Sequence, residues 1–277
     1  NEQQYLQTSF DDSEPSKPIS PGVAQRLRAG RAEEERRNIR FGEIRTGQLG
    51  RDRATRHGAV RPGLDPGQQG HLFDNVSGCW WSTPNRVDVV TTTREIAETG
   101  PVGLWLVEDF PGWRRASSMP VVLSRPARIC EIDGPGAWAD LVRRHPFDVT
   151  DARTPDWKRA TGRTGRWLVP DWVSVAGEFD GVHVSAFGYL TTAGWPVPVG
   201  GEHGDVATVL AGGAPDETFW LTDIVRLGGT DSGDTATRWI CGDDAEWRRD
   251  AAGRDVTRRE DAGLHPGHRD RTPRRQS

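Results

Sequence analysis

All twelve tryptophans of this 277-residue chain fall between Trp80 and Trp247, and residues 1–70 contain none. Aromatic side chains supply much of the area that a core buries, so this interval marks where a folded domain has to lie. The expectation is a globular domain over 71–247, a largely disordered segment over 1–70 and a disordered, Arg-rich tail over 248–277. Charge divides the chain at the same places. Acidic residues outnumber basic ones by ten in 71–247, whereas basic residues lead by two in 1–70 and by four in 248–277. Segment 11–22 (DDSEPSKPISPG) is too polar and too rich in Pro and Ser to offset the entropy of ordering it. Residues 23–40 hold helix formers but few apolar side chains, which predicts an exposed helix that adds little to the core.

The remaining composition narrows the class. No stretch approaches the roughly 20 consecutive apolar residues that a bilayer requires. The acidic centre disfavours a nucleic-acid backbone as partner and leaves a protein partner as the expectation. Cys79, Cys130 and Cys241 are widely spaced and form no CxxC, so neither a disulfide framework nor a cysteine zinc site is indicated. No basic stretch followed by an apolar run opens the chain, and a cytoplasmic location is the expectation.

Within 71–247, short runs rich in β-branched or aromatic residues are bounded by Gly, Pro or Asp and read as strands. They are 87–91, 102–107, 121–123, 127–132, 182–184, 206–210, 218–221 and 224–225. Helices are expected at three places. Thr92 and Glu95 fit a capping box closed by Gly100; Trp138, Leu141 and Val142 form an i, i+3, i+4 stripe ahead of Pro146; Asp171 can cap a turn carrying Trp172, Val175 and Ala176. Strands outnumber helices, so the predicted class is α+β: a compact, mostly antiparallel sheet with a few short helices and disordered termini.

Three places invite chemistry. Trp105 lies in a Gly-bounded apolar run, where a strand can set an aromatic ring on a cleft wall. Glu217 opens the run Thr218-Phe219-Trp220-Leu221, and a carboxylate at a strand's start is held rigidly enough to act as base or electrostatic stabiliser. His71 stands where the folded region is expected to begin. Separately, Asp180, His183, Glu202, His203 and Asp205 bring metal-ligating residue types close in sequence, although no HExxH-like spacing accompanies them. No GxSxG, Walker A loop or helix-opening GxGxxG is present.

The order His71, then the run Gly103-Leu104-Trp105-Leu106, then Glu217 before Thr218-Phe219-Trp220-Leu221 resembles ADP-ribosyltransferase-like proteins, with Trp105 where that family usually carries Tyr. The resemblance implies that His71 holds the ribose of NAD, that Trp105 stacks on nicotinamide and that Glu217 assists transfer. Residues 169–172, 179–183 and 188–190 also resemble uncharacterised actinobacterial proteins, and that similarity implies no activity. Two further readings stand beside the NAD-using enzyme. One is a non-catalytic interaction protein with an acidic, Trp-rich surface; the other is a metal-dependent hydrolase built on Asp180, His183, His203 and Asp205.

Overall fold

The computed structural model describes residues 5–10, 22–56, 79–107, 112–200, 205–228 and 236–250, with backbone alone for 5–10 and 44–56. The first half of the chain runs β1 (Tyr5–Phe10), α1 (Val23–Arg56), β2 (Val90–Ile96), β3 (Gly100–Pro101), the one-turn α2 (Val102–Trp105), β4 (Arg115–Leu123) and β5 (Ile129–Ile132). A helix-rich middle follows with α3 (Pro135–Arg144), β6 (Pro146–Asp148), α4 (Thr150–Thr161), β7 (Arg166–Pro170), α5 (Trp172–Glu178), β8 (Gly181–Val184), α6 (Ala186–Thr192) and β9 (Pro196–Pro198). The chain closes on β10 (Val206–Val209), β11 (Glu217–Trp220), β12 (Val225–Leu227), β13 (Thr237–Cys241) and β14 (Trp247–Arg249). The fold is α+β, with mostly antiparallel strands.

The larger sheet has the order β14-β13-β4-β1-β2-β11-β8-β5, with β12 beside the end of β4 and β3 beside β2. The smaller has the order β6-β7-β10-β9. Each contains one parallel pair among the described residues, β5 with β8 and β7 with β10. Three apolar clusters hold these layers together. In the first, Ile132, Val182, Val184 and Phe219 from the large sheet pack against Trp138, Leu141 and Val142 of α3 and Val175 of α5. In the second, Trp157 of α4 meets Trp167 of β7 edge-on, with ring centroids 5.2 Å apart. The third joins Leu104 of α2 to Ala116, Trp239 and Trp247. A fully buried side chain of this size contributes roughly 1.5–3 kcal/mol, which makes the tryptophans the main fasteners of the domain.

Several expectations change. Segment 1–70 is not largely disordered where it is described, because β1 lies in the middle of the large sheet, pairing with β2 on one side and β4 on the other. Helix α1 packs on α4 and α5, and its Val23 and Leu27 belong to the first cluster. Residues 11–21 and 57–78 lie outside the described residues. At the other end, Arg248 and Arg249 belong to β14 rather than to a tail, while 251–277 lie outside the described residues.

The capping box at Thr92 is also overturned, since 90–96 is a strand. Three consecutive β-branched threonines favour extended backbone, and the Thr92 hydroxyl accepts the Trp220 indole N–H at 2.8 Å instead of capping a helix. The run 102–107 begins as the single turn α2 rather than a strand. Helix α3 and the Asp171 cap of α5 match expectation, with Asp171 accepting the amides of Val173 and Ser174.

Candidate functional site

A cleft of about 580 Å³ opens between α1 and the body of the domain. Its inner wall is the segment 79–88, which has no regular secondary structure yet is pinned at each turn. Ser82 and Ala211 exchange backbone and hydroxyl bonds, Ser82 N–H donating to the Ala211 carbonyl at 2.9 Å and Ala211 N–H to Ser82 Oγ at 2.8 Å. The carbonyls of Trp80, Trp81 and Ser82 accept from Trp157 Nε1, Arg153 Nη2 and Trp172 Nε1 at 2.9, 2.8 and 3.1 Å. The Trp81 ring is 56% exposed and lies on Gly212, whose φ is +84°. A Cβ at Gly212 would come within 2.2 Å of that ring, so both the backbone angle and the close approach require glycine.

The outer wall is α1, and it docks mainly through polar contacts. Its first amide, Val23 N–H, donates to Asp223 Oδ1 at 3.1 Å, placing a carboxylate at the positive end of the helix. Arg26 donates to the Asp88 carbonyl at 2.8 Å. Arg31 pairs with Asp171 at 2.8 Å, and Glu34 with the buried Arg153 at 2.6 Å. Asn38 donates to the Asp148 carbonyl and accepts from the Ala152 amide. Burial against this helix raises the Asp88 carboxyl above its ordinary value, only partly opposed by Arg26.

Behind one part of the cleft wall, formed by Arg86 and Gly213, stands Glu217. Its side chain is 6% exposed, and Oε2 accepts from Arg86 Nη2 at 2.9 Å. Arg86 lines the cleft, as does Gly213, where a Cβ would sit 3.4 Å from the same Oε2. Register places Glu217 opposite Thr93 on β2 and opposite Val184 on β8. The preceding residue, Asp216, is buried and holds a left-handed φ of +63°, uncommon for a residue other than glycine. Its carboxylate accepts from the Arg94 guanidinium, from the Arg94 amide at 3.0 Å and from the Thr93 hydroxyl at 3.3 Å, and it lies 3.5 Å from His183 Nε2. Burial alone would raise the Asp216 carboxyl, but the bonds from His183 and Arg94 prevail and bring it down to about 2.

His183 continues this chain of charge on the other side, its Nδ1 lying 2.7 Å from Glu131 Oε1. Burial would favour the neutral imidazole. The flanking Asp216 and Glu131 override it and raise the pKa above that of an ordinary histidine.

The residues singled out by sequence separate as follows. Glu217 does not line the cleft itself but lies directly behind its lining residues Arg86 and Gly213. Trp105 lies on α2, its indole N–H donating to the Thr99 carbonyl at 3.1 Å and its ring packing against the cluster of Trp239 and Trp247. One residue links the two neighbourhoods: Thr93, opposite Glu217, accepts the Gly103 amide at 3.0 Å. The aromatic side chains that line the cleft itself are Trp81, Phe147 and Trp172. His71, Glu202 and His203 lie outside the described residues.

Asp180 is fully buried and gripped by Arg125 at 2.6 and 2.9 Å and by the Arg128 amide, contacts that hold its carboxyl well below the usual carboxylate range. Asp205 is exposed and pairs with Arg163. No group of three or more potential metal ligands gathers among the described residues.

Sequence reasoning missed Arg86, Arg94 and the pairing of His183 with Glu131 and Asp216. Their partners are 52 to 131 residues distant apart from the His183–Asp216 contact, and only tertiary proximity reveals them. No family profile, curated protein or solved structure matches the chain. No helix among the described residues is long and apolar enough to cross a membrane.

Proposed function

We propose that the chain is an NAD-using, ADP-ribosyltransferase-like enzyme whose dinucleotide enters the cleft between α1 and segment 79–88. The observation that carries this reading is the Arg86–Glu217 ion pair, in which a largely buried carboxylate is matched by an exposed guanidinium in the cleft wall. A ligand that takes only the guanidinium removes the Arg86 charge from a largely buried carboxylate, which is costly. A ligand with both an anionic group and a cationic ring exchanges one ion pair for two. Oxidised NAD has that charge pattern in its pyrophosphate and nicotinamide. The cleft volume falls within the usual range for small-molecule sites, roughly 300–1,000 Å³, and Trp81 and Trp172 offer planar surfaces for a ring. In transfer, positive charge develops on the ribose as nicotinamide leaves, and a fixed carboxylate such as Glu217 is suited to stabilise it.

Titration of the full chain with NAD, followed by tryptophan fluorescence, tests this. Saturable quenching is expected, weakened about ten-fold by Arg86→Gln, with NADH binding less tightly because its nicotinamide ring is neutral. Trp105→Ala separates the two places a ring can stack: quenching that survives it belongs to the cleft. Absence of quenching at millimolar NAD overturns the reading.

A second reading, a non-catalytic interaction protein, is favoured by one observation. Phe187, Leu190 and Trp195 are 70, 72 and 68% exposed, the first two sharing a face of α6 at i, i+3. In this reading the surface is apolar rather than Trp-rich and acidic, because six of the tryptophans are buried in the core. Partner capture that is lost in Phe187→Ser/Leu190→Ser, with NAD quenching absent, would favour it. The hydrolase reading has no comparable support, with Asp180 committed to two arginines.

A further inference from the structure

The strands that present Glu217 to Arg86 of the cleft wall carry a second arrangement on their opposite face. Side chains alternate along a strand, so Glu217 and Val184 share one face while Thr218, His183 and Glu131, directly opposite one another on β11, β8 and β5, share the other. Asp216, at the turn into β11, is where the two faces communicate. Its left-handed backbone is unfavourable for an L-residue, so something must hold it there. Four groups do: the Arg94 guanidinium and amide from β2, the Thr93 hydroxyl and His183. Asp216 and Glu217 are consecutive, so the direction in which the Glu217 side chain leaves the turn follows from the backbone angle of its neighbour.

We propose that cationic His183 is a positioning residue for Glu217, clamping Asp216 in its left-handed conformation so that the Glu217 carboxylate stays aimed at Arg86 and the cleft. This deepens the reading of Glu217 as the working carboxylate and rests on it. The groups that face His183 are Glu131 from β5, Asp216 from the turn before β11 and, through Asp216, Arg94 from β2; its neutral neighbour is Thr218. The two carboxylates stabilise the charged imidazole. When it loses a proton, the remaining N–H is kept on Nδ1 by the 2.7 Å contact with Glu131, so Nε2 turns a lone pair to Asp216. Asp216 then keeps Arg94 and Thr93 but loses its partner from the β8 side among the described residues. The imidazole is charged below its raised pKa, so the clamp is closed at neutral and mildly acid pH and opens as pH rises through that value.

Amide hydrogen exchange of residues 216–218 in the full chain, corrected for the intrinsic pH dependence of exchange, tests the clamp without any ligand. From roughly pH 5 to roughly pH 9, protection should fall about ten-fold as His183 loses its proton, one pK unit of coupling corresponding to a factor of ten. In His183→Gln the profile should be flat and low. In Glu131→Gln, whose altered side chain is half exposed, the fall should move to lower pH because one stabilising carboxylate is gone. If His183→Gln does not fold, the shift in Glu131→Gln decides. A flat profile in the unaltered protein, a fall that persists in folded His183→Gln, or an unmoved midpoint in Glu131→Gln overturns the proposal. Loss of NAD quenching with the exchange profile intact would overturn the dinucleotide reading alone.

Discussion

Helices α3 and α1 both lie against the body of the domain, and they are held there by different physics. Helix α3 presents Trp138, Leu141 and Val142, all fully buried, to the large sheet. Helix α1 is more than three times as long, 34 residues against 10, yet among its described side chains only Val23 and Leu27 are buried apolar anchors. The rest of its docking is ionic or hydrogen-bonded, through Arg26, Arg31, Glu34 and Asn38. The apolar attachment is insensitive to salt and pH, whereas the ionic one responds to both. The wall of the cleft that α1 forms is therefore its adjustable side.

Four measurements would sharpen or break this contrast. The largest effect belongs to the apolar helix: Trp138→Ala should cost about 4 kcal/mol in urea unfolding, through lost burial and the cavity left behind. A cost below about 1 kcal/mol would show that α3 is not the stronger attachment. Next comes the buried end of the ionic helix. Arg153→Met leaves Glu34 without its cation and should cost about 3 kcal/mol, much of it recovered in the double variant with Glu34→Leu. Additive costs in that double-mutant cycle would deny the coupling.

Acid should separate the regions with a smaller effect, on the order of 2 kcal/mol from Asp216. Its folded pKa, about 2, lies below that of an ordinary aspartate, so its stabilisation is complete above the ordinary value and disappears as pH falls through about 2. Amides around 216–218 should lose protection over that range while those of α3 are retained. Simultaneous loss at both would mean that the two regions open as one unit. The smallest effect is expected from Arg31→Gln, whose half-exposed pair with Asp171 should contribute less than about 1 kcal/mol and vanish near 1 M salt.

The same contrast explains what the sequence made legible. Helix α3 and most strands of 121–132, 182–184, 206–210 and 218–221 were visible because their burial is apolar and periodic. Asp171 was visible because a helix cap is local. Helix α1 was readable as a helix but not as a docked one, since hydropathy gives no weight to a Glu34 that meets Arg153 from far along the chain. Strand β2 was misread because Thr92 and Glu95 satisfy a local capping pattern, while pairing with β1 and β11 supplies more hydrogen bonds than a cap can. Helix α4 went unseen, with Pro155 in its interior and a weak apolar stripe. In the candidate site, Glu217 was recognisable from its place before an apolar strand. Arg86 and Arg94 were not, and His183 stood out only as a metal-ligand type rather than as a partner of Asp216, because these roles depend on proximity between distant parts of the chain.

The central place of β1 has a consequence in time. A chain made from its N-terminus produces Leu6 long before Thr93 and longer still before Pro120, the two residues it lies between. Until both arrive, this strand has no complete ladder to enter, and in the finished sheet it alone joins β14-β13-β4 to β2-β11-β8-β5. Assembly of the sheet is thus a long-range closure, of the kind that makes folding slow and leaves unpaired strand edges exposed while it proceeds. Strand β1 has both of its partners once Leu123 is made, whereas β2 and β4 must still wait for β11 and β13, so the two halves of the sheet can be joined through β1 before either half is complete.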